Sequence, residues 1–428
     1  MNMTLTQQAA LRLFSQTIML LILWVLAALL AAVQFLSPDA PLARALPYQQ
    51  IGALANVLLH LAALTGLLAG GVYIAAGERV FHPGLLRYTS WLWTALLILA
   101  LLAGLLNILE GRSLLELPPL LDGLLFVALL AFALNVLLGA RQIPAVQVWS
   151  IGLLLSAGCT LIGLFPAGDY LADRALRALA TGLNLYVALP LAAVALGFWL
   201  MHRFSNVTPA WAQMGIYTIA GLVTLAGTLV SLTPLHTLGA PEWTRTLGGL
   251  ALFIVPLCYL IYASHSYRAL ADRNATYTFA AHWYALALLL YLLGIGLLGG
   301  VQAVPTVSAY TLGTRLSDLQ TTLALLAPLA MALGMVNQGT AELRGSNRRV
   351  TGLSPFWLVA FGAVGSALAL GAAGVAQVFL ERRLSVGYLD TQNLLTPLYA
   401  GWVFGLLLLA LGAGIYAFSF WRRRPIRS

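Results

Sequence analysis

The histidine residues are the first candidates for chemistry, because imidazole binds metal ions and haem iron and transfers protons near neutral pH. Six are present: His60, His82, His202, His236, His265 and His282. Only His60 falls well inside an apolar segment. A single histidine in that setting either forms a hydrogen bond with a neighbouring helix or is an axial ligand of haem. The residue types alone leave both alternatives open.

Few other side chains could bind a metal or catalyse a reaction. Cys159 and Cys258 lie in apolar segments with no second cysteine or histidine at metal-ligand spacing, so both are expected to be small buried core residues. Asp122, Arg315 and Asp318 fall near the ends of apolar segments, where a charged group can reach the interface. No pattern typical of nucleophilic, paired-carboxylate, phosphate-binding or zinc-peptidase chemistry is present. We therefore predict no catalytic residue and no metal site from these patterns.

The composition indicates that lipid is the solvent. Of 428 residues, 61% are hydrophobic and 8% are charged, whereas soluble domains carry about 25% charged residues. A soluble fold cannot bury so much apolar surface, so we expect one transmembrane domain over residues 1–428. Every basic residue is arginine, which excludes lysine Schiff-base chemistry. The arginines are scattered rather than grouped in a basic-aromatic stripe, which argues against a nucleic-acid partner.

Twelve apolar segments are long enough to cross a bilayer, since a helix needs about 20 residues for a hydrocarbon layer of about 30 Å. They are continuous rather than alternating, so membrane-spanning strands are excluded. The fourth and fifth segments are separated mainly by Arg141 and Pro144. The predicted fold is therefore an all-α polytopic membrane protein. The segments are residues 17–35, 54–76, 88–109, 119–138, 145–165, 178–201, 214–232, 247–263, 279–298, 316–336, 355–380 and 398–420.

The distribution of charge predicts the orientation. With twelve crossings, 14 of the 22 arginines lie on the side of the termini and eight lie on the other side. Of the 13 acidic residues, three lie on the side of the termini and ten on the opposite side. The positive-inside rule then places both termini in the cytoplasm, with a basic anchor at 422–427. We expect a multi-pass protein of the cell inner (plasma) membrane.

One loop, residues 234–248, is specific enough to suggest a family. It reads Pro-Leu-His-Thr-Leu-Gly-Ala-Pro-Glu-Trp-Thr-Arg-Thr-Leu-Gly. This loop resembles the one after helix seven of haem–copper oxidase subunit I, nearest to the branch of cbb-type cytochrome c oxidases and nitric oxide reductases. The resemblance implies a bundle of twelve helices with cytoplasmic termini. The matching residues are Leu235, His236, Pro241, Trp243, Thr246, Leu247 and Gly248, with Glu242 in place of an aspartate.

Shorter matches extend the resemblance along the chain. The pair 59–60, Leu-His, is similar to the pair in helix two whose histidine binds the low-spin haem. Residues 182–184, Gly-Leu-Asn, are similar to the Gly-His-Asn of helix six, whose histidine binds copper. Gly299, Gly300 and Tyr310, followed by residues 318–322, fall where the family has Gly-Pro and then Gly-His-x-His. Leu298 occupies the position of a glutamate that usually precedes the Gly-Pro.

The departures from the family concern its metal ligands. Of six ligand positions only His60 keeps a histidine. Haem iron and copper are held by imidazole nitrogen in this family, and a leucine or proline side chain has no donor atom. The resemblance therefore implies that the haem–copper centre is lost, that no cofactor is expected, and that His60 is the one candidate ligand of a haem b. The lost positions are Leu183, Thr233, Pro234, Gln320 and Thr322.

Three functions remain open at this point. The first is a scaffold or accessory subunit of a respiratory electron-transfer complex, with a cytochrome c or cupredoxin-type partner and no catalysis expected of the chain. The second is a transporter, or a protein that binds an apolar ligand such as a quinone or lipid. The missing buried charges oppose ion coupling but not apolar ligands. The third is an active terminal oxidase or nitric oxide reductase, which requires several histidines facing one another in the bundle.

Overall fold

The computed structural model describes residues 3–37, 47–77, 80–109, 117–165, 168–204, 209–236, 238–271, 278–344 and 352–422. Within these ranges the regular structure is helical and contains no strand. They include twelve helices long and apolar enough to cross a membrane, which confirms the predicted all-α polytopic fold and the separation of the fourth and fifth segments. The helices are α1 (Leu5–Leu36), α2 (Tyr48–Ala76), α3 (Pro83–Leu105), α4 (Pro119–Ala140), α5 (Pro144–Ile162), α6 (Tyr170–Arg203), α7 (Met214–His236), α8 (Glu242–Tyr267), α9 (Ala280–Gln302), α10 (Arg315–Leu343), α11 (Leu353–Arg383) and α12 (Thr396–Arg422).

Several helices extend beyond the apolar runs that predict them. Helix α1 begins at Leu5 because the side chain of Thr4 accepts a hydrogen bond from the backbone of Gln7, and the Gln7 side chain accepts one in return. Arg12 then donates to Ser90 Oγ of α3 at 3.1 Å and lies over the Trp91 ring at 4.0 Å. These partners on α3 satisfy the guanidinium, so the polar first turns continue the helix. Two short helices, Pro305–Thr311 and Tyr388–Leu394, occupy segments expected to be loops.

Three helices form the interior of the bundle. In the most apolar stretch of α2 every residue is buried, and in those of α6 and α10 83% of the residues are buried. In the other spanning helices the buried share of the corresponding stretch is 33–61%. Helices α2, α6 and α10 also contact one another. Two indoles donate hydrogen bonds into α2, from Trp93 to Thr65 Oγ1 at 3.0 Å and from Trp149 to the Leu67 carbonyl at 2.9 Å. Such bonds satisfy buried polar atoms where no water is at hand.

Helix α6 changes its winding in the middle, where Asn184–Ala188 form a turn of π-helix. A π turn inserts an extra residue and redirects the side chains around it, and such turns occur frequently at functional sites. Gly227 of α7 packs directly against this turn, so close that an added Cβ would overlap the carbonyl group of Tyr186. Two further π turns, Leu292–Gly299 and Val378–Arg383, lie in α9 and α11.

Candidate functional site

His60 is 5% exposed at the centre of α2, and it makes a hydrogen bond with a neighbouring helix. Its Nε2 lies 2.8 Å from Nδ2 of Asn184, the first residue of the π turn in α6. With the amide nitrogen of Asn184 as the donor, Nε2 accepts this bond. Asn184 is fully buried, and its Oδ1 has no hydrogen-bond partner among the described residues. The pair therefore joins the two central helices α2 and α6.

An axial bond from His60 Nε2 to haem iron would have to replace the contact with Asn184. The lone pair of Nε2 that would bind iron is directed at Asn184. Within the described part of the chain, no group of three or more His, Cys, Asp or Glu side chains could hold a metal ion. A hydrogen bond between helices, one of the two alternatives for a single intramembrane histidine, is present between His60 and Asn184.

The pair predicts a measurable loss of stability when one partner is removed. Replacing Asn184 by leucine leaves His60 Nε2 buried without a donor, which costs about 1–3 kcal/mol. Thermal unfolding of the purified protein in detergent should show the loss. The double variant His60→Leu/Asn184→Leu should recover part of it, since replacing both partners by apolar groups can be nearly neutral. A double variant as unstable as the sum of the single variants would argue against a coupled pair.

The positions that the sequence resemblance matches to copper ligands lie at the contact of α6 with α7. Gly182 allows the close approach, since an added Cβ would be 2.9 Å from Cα of Ser231. Leu183 is half-buried and packs against the apolar core. Thr233 is 7% exposed, and its Oγ1 has no hydrogen-bond partner among the described residues. Pro234 lies in the last turn of α7. None of these side chains carries an imidazole.

The two corresponding positions in α10 face different parts of the bundle. Residues two apart on a helix point about 200° apart. Gln320 is buried. A Cβ added to Gly299 of α9 would lie 3.0 Å from Nε2 of Gln320 and 3.9 Å from Cγ1 of Val230 in α7. Thr322 instead donates to the Asp318 carbonyl at 2.8 Å and borders a cavity. The structure thus brings Gln320 close to α9, whereas Thr322 borders the cavity.

That cavity, of about 460 Å³, lies between α1, α2, α10, α11 and α12. It is at the end of the bundle where α2 and α10 begin. Its walls combine the apolar side chains of five helices with Asn56 of α2 and Thr321 and Thr322 of α10. His60 does not line it, although its neighbour Leu59 does. The arrangement can enclose a small molecule and offer it hydrogen bonds.

The charged residues near this cavity are paired. Arg315 Nη1 lies 3.0 Å from Asp318 Oδ2, and its guanidinium carbon is 4.4 Å from the centre of the Phe35 ring. Asp318 is largely exposed, as expected for a group near a helix end, whereas the Arg315 side chain is 16% exposed. Asp122 lies in the first turn of α4, near the helix end as predicted, and is 2% exposed. Both cysteines are buried as predicted.

In the segment that carries the resemblance, residues 234–236 and 238–248 are described, and Thr237 lies outside the described residues. Trp243, in the first turn of α8, is 55% exposed. His236, at the end of α7, is half-buried, and its Nδ1 has no hydrogen-bond partner among the described residues. The loop therefore presents an aromatic surface and no assembled ligand set.

Together, the helices and the site define a multi-pass α-helical membrane protein with a hydrogen-bonded pair at its centre and an amphipathic cavity toward one end. No known family model matches the chain.

Proposed function

We propose that the chain is a membrane-embedded relative of haem–copper oxidase subunit I, from the cbb-type oxidase and nitric oxide reductase branch, without the haem–copper centre. Its role is that of a scaffold or accessory subunit in a respiratory electron-transfer complex. One observation carries the proposal: side chains without an imidazole pack into the interior at positions that the resemblance matches to the family's ligands. Leu183 packs into the core, and Gln320 packs against the α9 backbone. Protein interiors are packed nearly as densely as crystals, so this packing supports a structural role.

The proposal includes an orientation and a partner. Both termini face the cytoplasm, and a cytochrome c or cupredoxin-type subunit binds the opposite face, where Trp243 offers an exposed aromatic anchor. A green fluorescent protein fused to the C-terminus should fluoresce, and alkaline phosphatase fused there should be inactive. Affinity purification from native membranes should recover other respiratory subunits. Recovery of none of them would count strongly against the scaffold role.

Visible absorption spectroscopy tests the loss of the cofactor. The protein purified from haem-sufficient cells should lack a Soret band, and acid-acetone extraction should yield no haem in stoichiometric amount. The reason is that His60 Nε2 is engaged by Asn184. A stoichiometric Soret band that disappears in His60→Ala but persists in His282→Ala would overturn the proposal and revive a redox role.

A second function, binding of an apolar ligand, is favoured by the cavity between α1, α2, α10, α11 and α12. Its volume lies in the range of about 300–1,000 Å³ typical of small-molecule sites. An active oxidase or reductase is not proposed, because its chemistry needs several converging imidazoles.

A further inference from the structure

The cavity offers hydrogen-bond donors that nothing in the described protein uses. Asn56 is exposed to it, although it lies about 12 Å along α2 from the first residue of that helix. The indoles of Trp24 and Trp402 also line the cavity. Among the described residues, no hydrogen bond is made by these three side chains. Asn56 is exposed, so its amide is available to donate a hydrogen bond to an occupant with acceptor atoms.

The charge at the cavity indicates a neutral occupant. Among the described residues that line the cavity, the charged ones are Arg315 and Asp318, which form an ion pair with each other. A carboxylate or phosphate group would have to compete with Asp318 for the guanidinium. The lining therefore favours a ligand whose polar atoms are uncharged.

The remaining walls indicate a flat, largely apolar molecule. Trp24 and Trp402 supply aromatic surface, and Leu59, Leu325 and Leu370 supply aliphatic surface. Aromatic side chains bind flat rings through offset or edge contacts. A lipid acyl chain would leave the donors unpaired. Haem would find no imidazole, thiol or thioether among the lining residues.

We propose that this cavity binds the headgroup of a membrane quinone, with a quinone carbonyl accepting a hydrogen bond from Asn56 and the ring lying between Trp24 and Trp402. The inference rests on the second proposed function, ligand binding, and is independent of the scaffold role. A quinone is a neutral ring with two carbonyl acceptors and a hydrocarbon tail. These properties match the unpaired donors, the paired charges and the apolar walls.

The test is a titration of the full-length protein in nanodiscs of quinone-free phospholipid. Decylubiquinone should quench a saturable part of the tryptophan fluorescence. Gly52 lines the cavity, and a Cβ there would meet nothing within 4 Å, so Gly52→Leu should fill the space and abolish the saturable quenching. Gly221→Leu on α7 is the matched control, because its Cβ position is equally open and it does not line the cavity. This control should bind as the wild type does.

A second variant separates a quinone from other apolar occupants. Asn56→Leu keeps the number and branching of the side-chain heavy atoms and removes the donor, so the Kd for decylubiquinone should rise about fivefold. An unchanged or lower Kd would overturn the assignment, as would equal saturable quenching in Gly52→Leu and Gly221→Leu. Should Gly52→Leu fail to fold, the Asn56→Leu titration decides alone.

A neutral dye, Nile red, separates the proposal that the cavity binds a ligand from the proposal that this ligand is a quinone. If Nile red binds, is excluded by Gly52→Leu and is displaced by decylubiquinone, both the ligand-binding function and the quinone assignment are supported. If Nile red is excluded by Gly52→Leu but is not displaced by decylubiquinone, the ligand-binding function stands and the quinone assignment falls. If neither molecule binds saturably, both fall.

Discussion

Replacing Gly227 by alanine is expected to destabilise the protein by at least the roughly 3 kcal/mol at the upper end of overpacking effects. The added methyl group would overlap the carbonyl group of Tyr186 and approach the Val187 side chain. This carbonyl group belongs to the backbone of the π turn in α6, so it cannot move aside as the end of a flexible side chain could. Helices α6 and α7 would have to separate. The same shift would displace Asn184 from His60.

The same helix provides the control for this prediction. Gly221 of α7 is exposed, and a Cβ there would meet nothing within 4 Å. Gly221→Ala should be neutral or stabilising, by up to about 1 kcal/mol from helix propensity. Detergent-induced unfolding followed by circular dichroism measures both variants. Equal stability of Gly227→Ala and Gly221→Ala would show that the close contact of α6 with α7 does not limit stability.

The twelve helices could be predicted from sequence because the bilayer imposes one length and one solvent on every spanning segment. The ends of the helices could not, because they depend on partners elsewhere in the chain. The polar first turns of α1, for example, continue the helix where Arg12 contacts Ser90 and Trp91 on α3. Such contacts between distant residues leave no trace in the hydropathy of either segment.

His60 was identifiable from its position in an apolar run, and its partner was not. Asn184 is one of several neutral polar residues in the spanning segments, and its approach to His60 depends on the π turn that begins at that residue. The cavity was missed for a related reason. Ionisable residues receive attention in a membrane segment because they are expensive there, whereas Asn56 and Thr322 are neutral. The sequence feature that indicates the cavity is the spacing of Gly52 and Asn56, which lie four residues apart on one face of α2 and both line it.

A cluster around Glu342 predicts the second large effect on stability. Glu342, at the end of α10, accepts hydrogen bonds from Tyr73 of α2 and Gln338 of α10. It also forms an ion pair with Arg203 of α6, whose Nη2 is 3.2 Å from Glu342 Oε2. One carboxylate thus joins the three central helices at the end of the bundle where α2, α6 and α10 finish.

Glu342→Ala should therefore destabilise the protein by roughly 2–3 kcal/mol, the range for hydrogen bonds to a charged group, with partial screening because the Glu342 side chain is 31% exposed. Glu342→Gln keeps acceptor geometry without the charge and should lose less. Glu381→Ala is the matched control, since that carboxylate accepts one described hydrogen bond, from Gln377 Nε2 at 3.2 Å. If Glu342→Ala and Glu381→Ala unfold at the same detergent concentration, the contacts of Glu342 do not stabilise the packing of the three central helices. A larger loss in Glu342→Ala, reduced when Tyr73→Phe is already present, would show that the carboxylate couples α2 to α10.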